Sequence, residues 1–321
     1  MASPNPTYTE IVTTTIENRQ RKLADNVTEH NALLRHLKSK GQIKTTSGGR
    51  VIVEELEYAE NSTFQRYSGY EVLDISPSDI MTAAEFNWKQ YAVNVTYSGL
   101  EAVIQNAGKE KFIDLVASRI RNAEKTMANN LAVDIYSDGT ATSGKQIGGL
   151  ELLVADSPTS GTVGGIDRGT YSWWQNNIVN TSTITASNIQ TYMNQLWIET
   201  VRGADTPDLM VFDDAFFRLY WESLQANQRF TSDRRAAAGF TNILFMDQPV
   251  FFEKSGDGGI AANHGYFLNT DYIRLRVHPQ RNMTPLREKT SVNQDATVIP
   301  ILWAGNMTIS NSARQGVLKN P

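Results

Sequence analysis

Cysteine is absent from all 321 residues. That single absence excludes disulfides, thiolate catalysis and cysteine-based zinc sites. Histidine is scarce, at four residues. Neither His30 nor His36 has a second histidine or an acid one helical turn away in a ligand pattern, so both are expected to be solvated rather than metal-bound. No apolar run approaches the length needed to cross a bilayer, and no basic-then-apolar start marks a secretory leader. An excess of positive charge is also lacking: 30 Lys and Arg stand against 34 Asp and Glu, a net charge of −4. A dedicated nucleic-acid reader is basic, with clustered Lys and Arg, so any contact with DNA is expected to be local and weak. No internal repeat appears at a fixed period.

Catalytic patterns are missing as well. Gly-x-Ser-x-Gly does not occur, and no serine has an assigned His and Asp partner. The glycine-rich stretch from Gly139 to Gly165 lacks the Gly-Lys-Ser/Thr ending of a phosphate loop, because Gly144-Lys145 is followed by Gln146. The carboxylate pairs Asp213-Asp214 and Asp205 with Asp208 are of a kind that chance supplies in a chain of this size, and Asp213 already reads as a helix cap. The sequence therefore assigns no catalytic residue, no cofactor-binding residue and no metal ligand.

What is present is organised around one long helical stretch, Lys109 to Tyr136. Phe112, Leu115, Val116, Ile120, Ala123, Met127, Leu131 and Ile135 recur in steps of three and four, which places them on one stripe. Glu110, Asp114, Arg121, Glu124, Lys125 and Asn129 occupy the other faces. At 1.5 Å per residue the stretch spans about 40 Å. Ser137-Asp138-Gly139-Thr140 closes it, with Gly139 free to turn left-handed. Upstream, Thr7 and Glu10 form a capping box for a helix reaching Lys40. The seam of that helix, Ile16, Gln20, Leu23, Val27, His30, Leu34 and Leu37, follows a heptad-like spacing.

Between the two helices the period changes to two. Arg50 to Tyr58 and Ala83 to Tyr97 read as long strands, joined by an irregular tip from Ala59 to Thr82. Such a hairpin has too little apolar surface to stand alone. Ser98 to Glu101 is a second capping box, for a short helix that Gly108 separates from the long one. Beyond Gly165, Trp173-Trp174 is expected to be a packing anchor at a junction, with a stacking platform for a base or sugar as the rival reading. Helices are predicted over Ala186–Val201 and Asp213–Asn227. Strands are predicted over Asp208–Phe212, Ile243–Phe245, Val250–Glu253, Tyr266–Leu268, Tyr272–Val277 and Thr297–Ile309, followed by a polar tail.

This order resembles the major capsid protein family of tailed bacteriophages. The resemblance rests on the sequence of elements together with Asp138-Gly139-Thr140, Ile147-Gly148-Gly149-Leu150, Thr162-Val163-Gly164-Gly165-Ile166-Asp167-Arg168 and Trp173-Trp174. It implies an α+β fold with an N-terminal arm (residues 1–45), an extended β-hairpin loop (46–97), a peripheral domain with a long spine helix (98–140, completed by 297–321) and an axial α/β domain (141–296). It implies a structural role without cofactors, as a homo-oligomer of hexamers and pentamers in an icosahedral head around double-stranded DNA. Its implied partners are a separate scaffolding protein, a decoration or cement protein, a portal at one vertex and non-specifically touched DNA, with no membrane. Its implied location is the virion, with assembly in the host cytoplasm. The basic loop Arg229–Arg235 and the insertion Ser255–Gly259 are the candidates for contacts near a symmetry axis. The alternatives are the shell protein of a cellular nanocompartment with the same fold and a soluble ligand-binding α/β module that uses Trp173-Trp174.

Overall fold

The computed structural model describes residues 31–99, 109–225, 243–256, 258–290 and 293–320, with only the backbone of 109–118. The predicted helix over residues 7–30, the short helix after Ser98 and the basic loop Arg229–Arg235 lie outside them.

The long stretch is a helix, α2 (Lys109–Asp134), preceded in the chain by α1 (Ala32–Ser39). The apolar stripe of α2 is buried as its spacing requires: Ile120, Ala123, Met127, Leu131 and, in the turn beyond, Ile135. Glu124, which the sequence places on a polar face, is buried too. Helix α1 begins at Ala32, where the heptad pattern predicts an unbroken helix. Asn31 is extended and caps it, accepting from the Leu34 N–H at 3.1 Å. Its Nδ2 also donates to the Ala132 carbonyl of α2. A capping asparagine leaves the helical region by definition, and this one ties the start of α1 to the end of α2.

The glycine pair Gly148-Gly149 explains how α2 stops. In the turn just beyond the helix, the Leu150 and Glu151 N–H groups donate to the Ile135 and Tyr136 carbonyls at 2.8 and 3.2 Å. That approach leaves no room for a side chain, since a Cβ on Gly149 would sit 2.5 Å from the Ile135 carbonyl carbon.

Two six-stranded sheets flank this helix end among the described residues. The first is built on β15 (Ala296–Ile309). On one side β15 pairs with β4 (Lys89–Ser98). On the other it pairs in turn with β12 (Ile273–Val277), β13 (Thr284–Pro285) and β14 (Lys289–Thr290), and β1 (Ile43–Thr45) extends the sheet beyond β12. The predicted single strand Ala83–Tyr97 is therefore two. β3 (Met81–Phe86) pairs with β2 (Ile52–Glu57) to form the hairpin, and after a break at Asn87-Trp88 the chain continues as β4 in the first sheet.

The second sheet runs β7 (Asn177–Asn180), β16 (Gly316–Lys319), β11 (His264–Leu268), β8 (Leu209–Phe212), β10 (Gln248–Phe252) and β9 (Ile243–Phe245). β16 falls in the stretch read from sequence as a polar tail, yet Gly316, Val317 and Leu318 are buried. Strands β8 and β11 are buried along their whole length, as expected where both faces are covered. Alternation divides their side chains between two cores. Leu209, Val211, Tyr266 and Leu268 join the core beneath α2. Met210, Phe212 and Phe267 join a second core with Met193 and Leu196 of α4 (Ile189–Thr200) and Phe216 and Tyr220 of α5 (Asp214–Gln225).

Replacing Gly149 with Ala is expected to destabilise the chain by about 1–3 kcal/mol, the usual cost of forcing atoms into filled space. Urea unfolding checks this as a lower midpoint with unchanged slope.

Candidate assembly surfaces

The hairpin β2–β3 forms a separate two-stranded sheet, with the irregular tip between its strands. In β2, Ile52, Glu54 and Leu56 are buried, while Val53, Glu55 and Glu57 face out. A carboxylate in the middle of a buried row is costly unless paired. Glu54 is paired fully. It accepts from Arg276 Nε and Arg274 Nη1, both at 2.7 Å, and from the Thr308 hydroxyl at 2.8 Å. Burial alone would raise its carboxyl, but the hydrogen bonds from Arg276 and Thr308 and the two guanidinium charges hold it below the ordinary carboxylate range. The strand partners of that cluster, β12 and β15, thereby fix the base of the hairpin from the first sheet.

The stretch from Thr162 to Trp174 forms the rest of the seat. Thr162-Val163 and Ile166-Asp167 are the short strands β5 and β6. Gly164, at φ +62°, turns between them against the hairpin, where a Cβ would meet Ala84 Cβ at 2.8 Å. Its carbonyl accepts from Glu85 N–H at 2.9 Å. Trp174 is fully buried and donates Nε1–H to the Val163 carbonyl at 3.0 Å. Trp173 stacks on Tyr58, at the start of the tip, with centroids 5.6 Å apart. The tryptophan pair is thus a packing anchor, and its buried member has no face to offer a ligand. Arg168 is buried as well. Its guanidinium donates to the Leu152 and Leu153 carbonyls at the end of α3 (Leu150–Leu153), and burial pushes it down to about 10.

The tip, residues 58–80, contains no helix or strand and is ordered by local turns such as Asp74 with Ser76 and Asn61 with Thr63. It exposes Phe64, Tyr67, Tyr70, Val72, Leu73 and Ile75, with Tyr70 at 107% and Ile75 at 93% of full accessibility. Isolated exposed apolar side chains are ordinary, but six within one loop mark a contact surface.

Elsewhere, several titratable groups are paired within the fold. His36, expected to be solvated, instead binds Asp208 at 3.1 Å, and Lys40 joins at 2.5 Å. Burial would raise the Asp208 carboxyl, but those partners and Thr270 hold it far below the usual range. Asp213 caps α5 through the Phe216 N–H at 2.9 Å. Asp205 accepts from the Tyr272 hydroxyl. Within the insertion Ser255–Gly259, a Cβ on Gly259 would collide with the Val133 backbone of α2. Among the described residues no group of three or more His, Asp or Glu is placed to hold a metal, and no helix is long and apolar enough to cross a membrane.

One ionic cluster pins the second sheet. His264 places Nε2 2.9 Å from Asp156 and Nδ1 2.6 Å from the Ala262 carbonyl, and Lys319 reaches Asp156 at 2.5 Å. His264 and Lys319 are register partners across β11 and β16. Both ring nitrogens face acceptors, which favours the doubly protonated ring. Burial lowers the imidazole, but the Asp156 hydrogen bond and charge outweigh it, so its value is raised.

Two outcomes are expected. Glu54→Ala leaves two half-buried arginines without their carboxylate and is expected to cost about 3 kcal/mol. Because the Glu54 carboxyl is depressed, its contribution is complete above the ordinary carboxylate range and is lost as pH falls through the folded value. Acid unfolding of wild type and variant should therefore converge. His264 has the opposite sign: its contribution is complete below the ordinary imidazole value of 6.5 and is lost as pH rises through the raised folded value. Melting temperatures from roughly pH 6 to 9 should decline in wild type more steeply than in His264→Gln.

No family model matches the chain, and no curated protein matches it. Solved structures do. A chain of the cyanophage A-1(L) capsid asymmetric unit superposes with a TM-score of 0.64 at 17% identity, covering 87% of this chain and 90% of that one. The capsid of an empty GTA particle gives a TM-score of 0.57 at 14% identity, covering 87% and 88%. The holo-SrpI encapsulin complex from Synechococcus elongatus PCC 7942 gives 0.51 at 10% identity, covering 88% and 86%. At such identities the likeness is one of fold. The chain is α+β and has the fold of tailed-phage major capsid proteins.

Proposed function

We propose that the chain is a major capsid protein, a structural subunit that assembles into hexamers and pentamers of an icosahedral phage head around double-stranded DNA. The observation that carries this reading is the hairpin. Three separate contacts hold its base on the body, while its tip presents six large apolar side chains with no cover of their own. An arm of this kind is a hazard in a free monomer and is satisfied by a neighbour in a shell. Closure then gives each subunit several neighbours at once, so modest contacts act together.

The arm (1–45), extended loop (46–97), peripheral (98–140 with 297–321) and axial (141–296) divisions are carried forward, although the sheets cut across them: β12, β13 and β14 of the axial range, β1 of the arm and β4 of the loop lie in the first sheet, and β16 of the peripheral range lies in the second. The reading includes a separate scaffolding protein, a decoration or cement protein, a portal at one vertex and loose contact with packaged DNA. The net charge of −4 suits a wall that confines DNA without gripping it. Assembly takes place in the host cytoplasm and the finished protein resides in the virion. No catalytic role is proposed.

The likeness to an encapsulin favours a second reading, a cellular nanocompartment shell. Nuclease-resistant DNA inside purified particles supports the phage head, and a protein cargo without DNA supports the compartment. For either shell, Tyr70→Ser combined with Ile75→Ser is expected to leave the thermal melt of the monomer unchanged and to abolish particles in negative-stain images. Normal particles from that variant would remove the observation on which the proposal stands.

A further inference from the structure

In the loop after α2, three successive residues take the left-handed conformation. Thr142 lies at φ 53°, ψ 45° and Ser143 at φ 57°, ψ 42°, and Gly144 follows at φ 74°. Glycine is at ease there. Threonine and serine are not, because the Cβ crowds the following carbonyl, and a β-branched residue in this region is a true outlier. Packing of the side chains does not compensate, since Thr142 and Ser143 are both exposed. A backbone of this kind persists only where its surroundings impose it.

The surroundings are the start of β4 and the break before it. Lys89 donates from Nζ to the Gly144 carbonyl. Gln146 donates from Nε2 to Asp134 Oδ1 at 2.6 Å, and the Tyr91 hydroxyl donates to Asp134 Oδ2 at 2.5 Å. The same hydroxyl accepts from the Ile147 N–H at 3.0 Å. Asn306, buried in β15, completes the set. Its Oδ1 accepts from the Gly148 N–H at 3.0 Å, while its Nδ2 donates to the Asn87 carbonyl at 2.8 Å. On the other flank, the Asp138 carboxylate accepts from the Thr140 N–H at 2.9 Å, and the Gly144 N–H donates to the Thr140 carbonyl at 3.0 Å. The loop is therefore fastened at both ends, and its far end is fastened to residues 87–91. Asn87-Trp88 is where the chain leaves the hairpin for the first sheet, so it is the hinge on which the hairpin would turn.

We propose that the left-handed turn Thr142–Gly144 is a strained catch that locks the hinge at Asn87-Trp88, held closed by Lys89, Tyr91 and Asn306. The inference concerns the single subunit and does not depend on which shell it builds. Strain in the turn opposes the closed form and the bonds to β4 favour it, so turn and hinge make one two-state element. Coupling of this kind is reciprocal: whatever opens the turn loosens the hairpin, and whatever swings the hairpin opens the turn.

Two measurements test the catch. Thr142→Gly combined with Ser143→Gly removes the strain and is expected to raise the melting temperature of the full chain by about 1–2 °C. In a background of Lys89→Met and Tyr91→Phe the turn has already relaxed, so the same glycines are expected to give no rise. A rise confined to the wild-type background supports the catch. An equal rise in both backgrounds, or none in the wild-type background, overturns it. Ser143→Pro opens the turn directly, since proline holds φ near −65°. The readout is amide hydrogen exchange at Glu85, whose N–H bonds the Gly164 carbonyl between hairpin and body at 2.9 Å. Exchange there is expected to quicken about tenfold, while Tyr266 in the middle of the second sheet keeps its wild-type rate. An unchanged rate at Glu85, or equal acceleration at Tyr266, overturns the proposal. If Ser143→Pro fails to fold, the glycine pair decides, and if the Lys89→Met, Tyr91→Phe background fails to fold, the exchange at Glu85 decides.

Discussion

One buried carboxylate sets the geometry that the rest of this subunit depends on. Glu54 sits in a row that otherwise faces the core, and it is held there by two guanidinium groups and a hydroxyl. Hydrophobic contact alone would leave the hairpin free to slide or tilt, because apolar packing has little directional preference. Two charged hydrogen bonds of fixed direction remove that freedom. The arm leaves the body at one angle, and its apolar tip is carried away from the core that would otherwise bury it.

The same economy of parts appears where α2 ends. The carbonyls of Ile135 and Tyr136, just beyond its last residue, are closed by the Leu150 and Glu151 N–H groups, and α1 is tied to it by one asparagine. The second sheet packs on the core beneath this junction with one face and on α4 and α5 with the other. The long helix therefore acts as a strut between parts with different partners, and its outward residues Arg121, Lys125 and Asn129 remain exposed.

Much of this was legible in sequence where periodicity was strong. The apolar stripe of α2, the alternation of β2 and the long strand β15 follow directly from side-chain spacing. What escaped reading depended on pairing at a distance. Nothing local in Ala83–Tyr97 shows that β3 and β4 belong to different sheets, since both halves alternate equally well. Gly316–Lys319 is too short, and too mixed in character, to announce a strand; only its position between β7 and β11 buries it. His36 and Glu54 were unreadable for the same reason, because their partners Asp208, Arg274 and Arg276 lie far along the chain. The short motifs around Gly164 and Trp173-Trp174 were visible as motifs, but their task of seating the hairpin was not.

The place of β16 bears on timing. It lies between β7 and β11 and bonds to both, yet it leaves the ribosome after either of them. Until it arrives, the second sheet has an empty lane through its middle, and the core that α4 shares with Leu318 is open. The second sheet is therefore completed only after β7 and β11 have both been made, by a strand that slots in between them like a keystone.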